Sequence, residues 1–188
     1  MDNKLFHIRN EYKRRRLNKH DVTNNPIVQF SKWFQEALDA KVDEPNAMVL
    51  STVGRNNMPK ARVVLLRDVN DRGFVFYTNY NSDKSMEIGE NPVASLNFFW
   101  PALERQVRIN GLVEKTSPGV SDKYFSSRPK GSQVGAWASP QSRKIADREE
   151  LEGLVKEMRG RFVNKKVPRP DFWGGWLVIP TEMEFWQG

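Results

Sequence analysis

The sequence predicts a mainly β fold with peripheral helices, built as an antiparallel barrel that is closed or nearly closed. Three observations predict it. β-branched and aromatic runs recur between turn-length connections. Helical spacing of apolar residues is confined to the flanks and to the stretches between strand groups. The strands follow one another directly, whereas a parallel sheet needs them to alternate with helices. A chain of 188 residues, 38% hydrophobic, is long enough for one well-filled core and is read as a single domain over 1–188, with 1–25 as an N-terminal arm.

Each element has its own signal. From Pro26 to Val42, the residues Ile27, Phe30, Trp33, Phe34, Ala37 and Leu38 recur at helical spacing, with Asn24 and Asn25 as start signals. Ala47 to Val53 is a strand, Gly54 to Asn57 a turn, and Ala61 to Val69 a second strand. An Asn-Asp-Arg-Gly turn then leads into a third strand, Gly73 to Asn79, and the short connections make antiparallel pairing the natural reading. Ser82 to Glu90 reads as a short helix stopped by Asn91-Pro92. Val93 to Trp100 and Arg105 to Lys115 form a strand pair across Pro101 to Glu104. Helical patterns follow around Gly119 to Ser127 and from Asp147 to Phe162, the latter with Leu151, Leu154, Val155, Met158 and Phe162 on one stripe. Trp173 to Gly188 resumes strand character.

Composition excludes several chemistries. There is no cysteine, so disulfides and thiolate metal sites are out, and the chain suits a reducing compartment, with the cytoplasm as default. Only His7 and His20 are present, which removes a His/Cys zinc site and makes a Ser-His-Asp triad hard to assemble. No P-loop and no G-x-G-x-x-G after a strand signals a nucleotide site. The N-terminus lacks a signal-peptide apolar stretch, and no run approaches the ~20 residues of a membrane span. Chemistry here points to a borrowed cofactor.

The net charge of +7 suits nucleic acid, an anionic surface or small phosphorylated ligands. Lys13, Arg14, Arg15, Arg16 and Lys19 hold much of it and read as a solvated face. Cations inside strand-like sequence are more informative, because a charge there needs a partner. Arg62 and Arg67 bracket VVLL, and Arg105, Gln106 and Arg108 open a strand. A guanidinium fork matches phosphate, and a glutamine amide can both donate to and accept from a heterocycle. The alternative is that these residues face outward and pair with Glu104, Asp68 or Asp71. Arg62 and Arg67 also have opposite parity, so a regular strand separates them unless a bulge or strand end intervenes. Tyr124, Arg128, Ser132, Gln141 and Ser142 lie in a stretch read as loops and helix edges suited to gripping a small ligand, the alternative being turn and capping chemistry for Ser126, Ser132 and Ser139. Trp173, Trp176 and Trp186 are stacking candidates, though an indole late in a strand is more often core or interface.

Taken together, IRNEY (8–12), ARVVLLR (61–67), GFVFYTNYNSDK (73–84), NPVASLNFFWPALERQVRINGLVEK (91–115), KYFSSRPKGSQVGAWASPQS (123–142), FWGGW (172–176) and EFWQG (184–188) resemble the pyridoxamine 5'-phosphate oxidase family along almost the whole chain. The resemblance implies a six-stranded antiparallel Greek-key split β-barrel that dimerises, with two FMN molecules in clefts contacted by both subunits. It implies oxidation of pyridoxamine or pyridoxine 5'-phosphate to pyridoxal 5'-phosphate, with molecular oxygen reduced to hydrogen peroxide. Arg62, Arg67, Tyr77, Thr78, Lys84, Gln106, Gln141, Ser142 and Trp186 fall at FMN-contacting positions. Tyr124, Arg128, Ser132 and again Arg67 fall at positions that hold the substrate phosphate, and Arg9 and Tyr12 match an N-terminal segment covering the substrate.

This chain departs from the family in having Arg67 where lysine is frequent, which keeps the charge and the expected phosphate binding, and Asp83-Lys84 where an Arg-Lys pair is common, which removes a cation, adds an anion and lowers the expected FMN affinity. The family continues past EFWQG into an Arg-Leu-His segment and a final strand. No catalytic residue is therefore expected within 1–188, where the flavin chemistry needs only positioning, and metal is not expected. Alternatives are a non-catalytic FMN or pyridoxal-phosphate binding barrel and, on charge alone, a nucleic-acid-binding barrel; neither nucleic acid nor a membrane is the expected partner.

Overall fold

The computed structural model describes residues 4–8, 11–13 and 15–188. Its strands are β1 (Ala47–Val53), β2 (Pro59–Leu65), β3 (Asp68–Asn70), β4 (Gly73–Asn79), β5 (Val93–Trp100), β6 (Arg105–Lys115) and β7 (Trp173–Gln187). The helices are α1 (Pro26–Asp39), α2 (Asp83–Glu90), α3 (Pro118–Ser127), α4 (Lys130–Ala138) and α5 (Arg148–Arg161). All strand pairs are antiparallel, in one seven-stranded sheet ordered β2-β1-β5-β6-β7-β4-β3. The mainly β barrel class is as expected, but the strand count is seven, not six.

The extra strand comes from a break in the run read as 61–69. Leu66 N–H donates to Asn46 O at 2.8 Å, toward β1, whereas Arg67 N–H donates to Val75 O at 2.9 Å, toward β4. The backbone changes partners between adjacent residues, so one apolar run becomes β2 and β3. These are the two edge strands of the sheet, and only Leu66 and Arg67 separate them in the chain. A sheet whose first and last strands are tied by so short a link must curl round on itself, which makes it a nearly closed barrel.

Alternation along the strands fills that curl. Leu50, Leu96, Phe98, Trp100, Val107 and Ile109 point inward and are fully buried. α1 plugs the barrel with Phe30, Trp33 and Ala37, and Phe30 lies 4.9 Å from both Phe74 and Phe98, ring centre to centre. Its start is set by Pro26 in the first turn and by the Asn25 side chain, which accepts from Ile27 N–H at 2.9 Å. Burying an aromatic of this kind contributes about 2–3 kcal/mol, so Phe30 anchors the helix to the barrel.

α3, α4 and α5 pack against the start of β7 through Phe125, Val134, Phe162, Val167 and Trp173. Sequence reading placed 130–138 in loops and helix edges, and the structure corrects this to a helix. Gly131 and Gly135 weaken its intrinsic propensity, but Gln133, Val134 and Ala138 are buried, so packing decides. No helix of the described residues is long and apolar enough to cross a membrane.

Candidate active site

The sequence-predicted residues form three groups. The first lies where α2 crosses β1 and β2. Arg62 is opposite Leu50 in the β1–β2 register and therefore leans to the inner side of the sheet edge. Its Nη2 donates to Glu87 Oε2 at 3.0 Å, and its Nη1 donates to the hydroxyl of Thr52 and to Lys60 O at 3.1 Å. Lys84, in the first turn of α2, is buried, yet its Nζ reaches only hydroxyl groups, Ser82 at 3.2 Å and Thr78 at 3.5 Å. Burial, followed by the nearby Arg62 charge, pushes the Lys84 ammonium below its ordinary range, and Asp83 and Glu87 offset this in part. Gln141 joins the group from beyond α4, its Oε1 accepting from Thr78 Oγ1 at 3.0 Å and from Asn79 N–H at 3.3 Å. That leaves the Gln141 amide nitrogen to donate. Ser142, at φ +65°, turns the chain away beside a cleft of about 420 Å³ lined by Asn79, Gln141, Arg143 and Phe172.

The second group is an aromatic stack under a guanidinium. Tyr77 of β4 lies 3.9 Å from Tyr124 of α3 with planes 17° apart, and Trp173 continues the stack 5.6 Å from Tyr77. Gly175 permits this approach, since a Cβ there would sit 2.9 Å from Tyr77 Cε1, and Gly174 makes room for Tyr80, whose hydroxyl would lie 2.1 Å from a Cβ at that position. Burial, with the Asp68 charge second, pushes the Tyr77 phenol up to about 12. Arg128 ends α3 with its guanidinium carbon 4.6 Å over the Trp173 ring, and its Nη1 is buried without a hydrogen-bond partner. Burial lowers its proton affinity and the Arg67 charge adds to the effect, which puts Arg67 within electrostatic reach although no hydrogen bond joins them. Gln133 fixes the corner, its amide donating to the carbonyls of Phe125 at 3.0 Å and Arg128 at 3.0 Å. Ser132, exposed in the first turn of α4, follows that corner.

The third group stands apart. Gln106 and Trp186 are register partners on β6 and β7, facing outward, and Trp186 meets the ring of Tyr12 edge-on at 5.3 Å. Gln106 alternates with the inward Arg105 and Val107, so it lies on the opposite face of the sheet from Arg62. One chain therefore does not bring Gln106 and Trp186 to the other candidates. Arg9 lies outside the described residues.

Other expectations need correction. Arg105 points inward and is spent, with Nε donating to Gln187 Oε1 at 2.7 Å and Nη1 facing Glu36 Oε2 at 2.7 Å, a close ion pair off the line of an ideal hydrogen bond. Arg108 is occupied by Glu184 at the surface. The partners are thus Glu87, Glu36 and Glu184, not the Glu104, Asp68 or Asp71 that sequence proximity suggested. Trp176 belongs to the core, its Nε1 donating to Ser85 Oγ at 3.0 Å. Glu87, Thr52 and Gln133 went unnoticed in the sequence, although a carboxylate on the inner side of a short helix beside basic strand residues is a usable signal.

A family model described as pyridoxamine 5'-phosphate oxidase matches residues 34–162. The chain is 51% identical over all its 188 residues to a pyridoxine/pyridoxamine 5'-phosphate oxidase of a Nostoc species, covering 88% of that protein. It is 52% identical to one from Burkholderia mallei, over 98% of this chain and 86% of the relative. Among solved structures, PhzG from Burkholderia lata in complex with tetrahydrophenazine-1-carboxylic acid superposes with a TM-score of 0.86 at 29% identity, over 92% of this chain and 86% of that one. A pyridoxamine 5'-phosphate oxidase-related, FMN binding protein from Nostoc punctiforme shares the fold, with a TM-score of 0.70 at 15% identity over 88% of this chain and 87% of that one.

Proposed function

The chain belongs to the pyridoxamine 5'-phosphate oxidase family, and from that premise we propose that it binds FMN and oxidises pyridoxamine or pyridoxine 5'-phosphate to pyridoxal 5'-phosphate. Molecular oxygen takes up the electrons and leaves as hydrogen peroxide; with the amine substrate, water is consumed and ammonia released. The observation that carries this reading is a pair of unspent cations at separate points: Lys84, buried against hydroxyls alone, and Arg128, with a buried Nη1 that has no partner. Two phosphate esters, one on the cofactor and one on the substrate, match two such points. An unpaired buried donor costs about 1–3 kcal/mol, which a phosphate oxygen would recover.

The donor set fits FMN. Lys84 and Arg62 would take its phosphate, with the free amide nitrogen of Gln141, oriented by the Thr78 hydroxyl, alongside. Gln106 carries a group able to donate and accept at a flavin's uracil-like edge. Bound FMN would supply the two-electron chemistry, so the protein's task is to hold the substrate carbon in reacting geometry. Arg128, Arg67, Tyr124 and Ser132 hold the substrate phosphate. The stack of Tyr77, Tyr124 and Trp173 forms a rigid apolar wall that excludes water from it, and Tyr77 keeps its proton throughout the neutral range. Tyr12, beside Trp186, belongs to an arm that covers the ligand.

Gln106 and Trp186 reach the same cofactor only from a second copy, since they face away from Arg62 within one chain. The outer face that a second copy would cover exposes Val63, Phe99, Leu112 and Val93 at 66%, 51%, 53% and 41%. We therefore place FMN between the subunits of a homodimer; a monomer by light scattering with FMN present would contradict this.

The test is a visible spectrum of the purified protein, followed by anaerobic addition of pyridoxamine 5'-phosphate. A flavin band that bleaches on addition supports the whole reading. A band that persists reduces it to a flavin-binding barrel without turnover, and no band after FMN is supplied removes the cofactor assignment.

A further inference from the structure

We propose that Glu87 is the positioning residue of the cofactor-phosphate site: its buried carboxylate holds the Arg62 guanidinium and the Lys60 ammonium in place before any ligand arrives. The inference rests on the assignment of Arg62 and Lys84 to the FMN phosphate. Glu87 stands one turn after Lys84 on α2 and is only 6% exposed. One carboxylate oxygen receives Arg62 Nη2 at 3.0 Å and the Thr52 hydroxyl at 2.5 Å; the other faces Lys60 Nζ at 2.6 Å. Thr52 in turn accepts from Arg62 Nη1, so three side chains from β1, β2 and α2 close a ring around the guanidinium.

The ring leaves capacity where a ligand would need it. Nη1 is used by Thr52 and the carbonyls of Lys60 and Leu50, and one Nη2 hydrogen by Glu87. Nε and the second Nη2 hydrogen have no partner among the described residues, and they lie on the same edge of the fork, the edge suited to a bidentate phosphate contact. Without Glu87, the cations Lys60, Arg62 and Lys84 would stand together with only Asp83 to relieve them, and Arg62 would be free to swing toward water. Burial raises the Glu87 carboxyl, but the bonds from Lys60, Thr52 and Arg62 outweigh it and hold the group below its ordinary range, so it is an anion whenever the protein is folded near neutrality.

A carboxylate near a phosphate also repels it, and the two roles predict opposite signs. The test is the dissociation constants of FMN and of riboflavin, read by quenching of flavin fluorescence, for the full chain and for Glu87→Gln. Positioning predicts FMN bound roughly 10-fold more weakly with riboflavin, which lacks the phosphate, unchanged within about twofold. Tighter or unchanged FMN binding overturns the proposal, and so does an equal loss for both flavins, which would mark Glu87 as a fold residue only. Should Glu87→Gln fail to fold, Thr52→Val opens the same ring with less disturbance and must show the same FMN-specific loss, about threefold, or the proposal fails. If the unaltered protein binds no FMN, the cofactor reading itself is lost; if it binds FMN and neither substitution separates the two flavins, only the role of Glu87 is.

Discussion

Arg105 and Arg128 both lie over tryptophan rings, the first 4.4 Å from Trp33 and the second 4.6 Å from Trp173. Their surroundings then diverge. Arg105, 5% exposed, is matched by Glu36 and Gln187, and Gln187 passes the link on to Leu103 O at 3.1 Å, which ties the end of β7 to α1 and to the turn before β6. Among the described residues Arg128 has no ion-pair partner, and its buried Nη1 has nothing to donate to. Neither burial nor ring stacking distinguishes the arginine proposed to hold a ligand from the structural one. What separates them is a neutralising carboxylate: Arg105 Nη1 also lacks an ideal hydrogen bond but ion-pairs with Glu36, and Arg108 with Glu184, whereas Arg128 and Lys84 have no ion pair among the described residues.

The contrast can be broken by substitution, and the largest effect should fall on stability. Arg105→Met keeps the contact with Trp33 but leaves Glu36 only the more distant Arg15 and Gln187 Oε1 without its donor, so the unfolding free energy should fall by about 3 kcal/mol in a denaturant titration. Arg128→Met should lower the affinity for pyridoxal 5'-phosphate by about 2 kcal/mol, read by calorimetry, while the ligand-free protein is as stable as before or more so, because a buried unpaired charge has been removed. A stability loss matching that of Arg105→Met would erase the distinction.

A smaller effect concerns the stack beneath Arg128. The folded pKa of Tyr77, near 12, lies above the ordinary phenol value of 10, so the native state keeps its proton longer than the unfolded chain. The resulting stability is complete below pH 10 and is lost as pH rises toward 12. Tyr77→Phe should flatten that loss, seen by comparing denaturant midpoints at about pH 9 and pH 11. The smallest effect belongs to Arg108→Gln, which breaks an exposed pair with Glu184 and should stay within about 0.5 kcal/mol. A larger loss that varies with protein concentration would instead put Arg108 inside a subunit interface and sharpen the dimer proposal.

The strands were legible because alternation and turn chemistry are local, and 47–53, 73–79, 93–100 and 105–115 lie where the pattern put them. The switch of partners at Leu66–Arg67 was not, since nothing in VVLLRDV announces which edge the next amide will meet. It also resolves the parity conflict between Arg62 and Arg67, for a strand end does intervene. α4 escaped notice because its glycines argue against a helix that the burial of Gln133, Val134 and Ala138 justifies. Tyr77, Tyr124 and Arg128, drawn from distant segments by resemblance, do form one cluster. Glu87 was hidden because its meaning lies in Thr52 and Arg62, whose nearness to it is a product of folding.

The two-residue link between β2 and β3 also fixes an order of events during synthesis. β1 with β2, β3 with β4, and β5 with β6 are hairpins of neighbours in the chain and can pair as they emerge, but the β3–β4 hairpin has no hydrogen-bonded place in the sheet until β7 arrives between it and β6. Until then it hangs from Leu66 and Arg67 alone. Tyr77 cannot meet Trp173, and Arg128 has only the ring of Phe125 to rest on, before the last of the seven strands is made. A nascent chain lacking β7 thus carries Tyr77 and Tyr124 of the aromatic wall but not Trp173, the ring that completes it beneath Arg128.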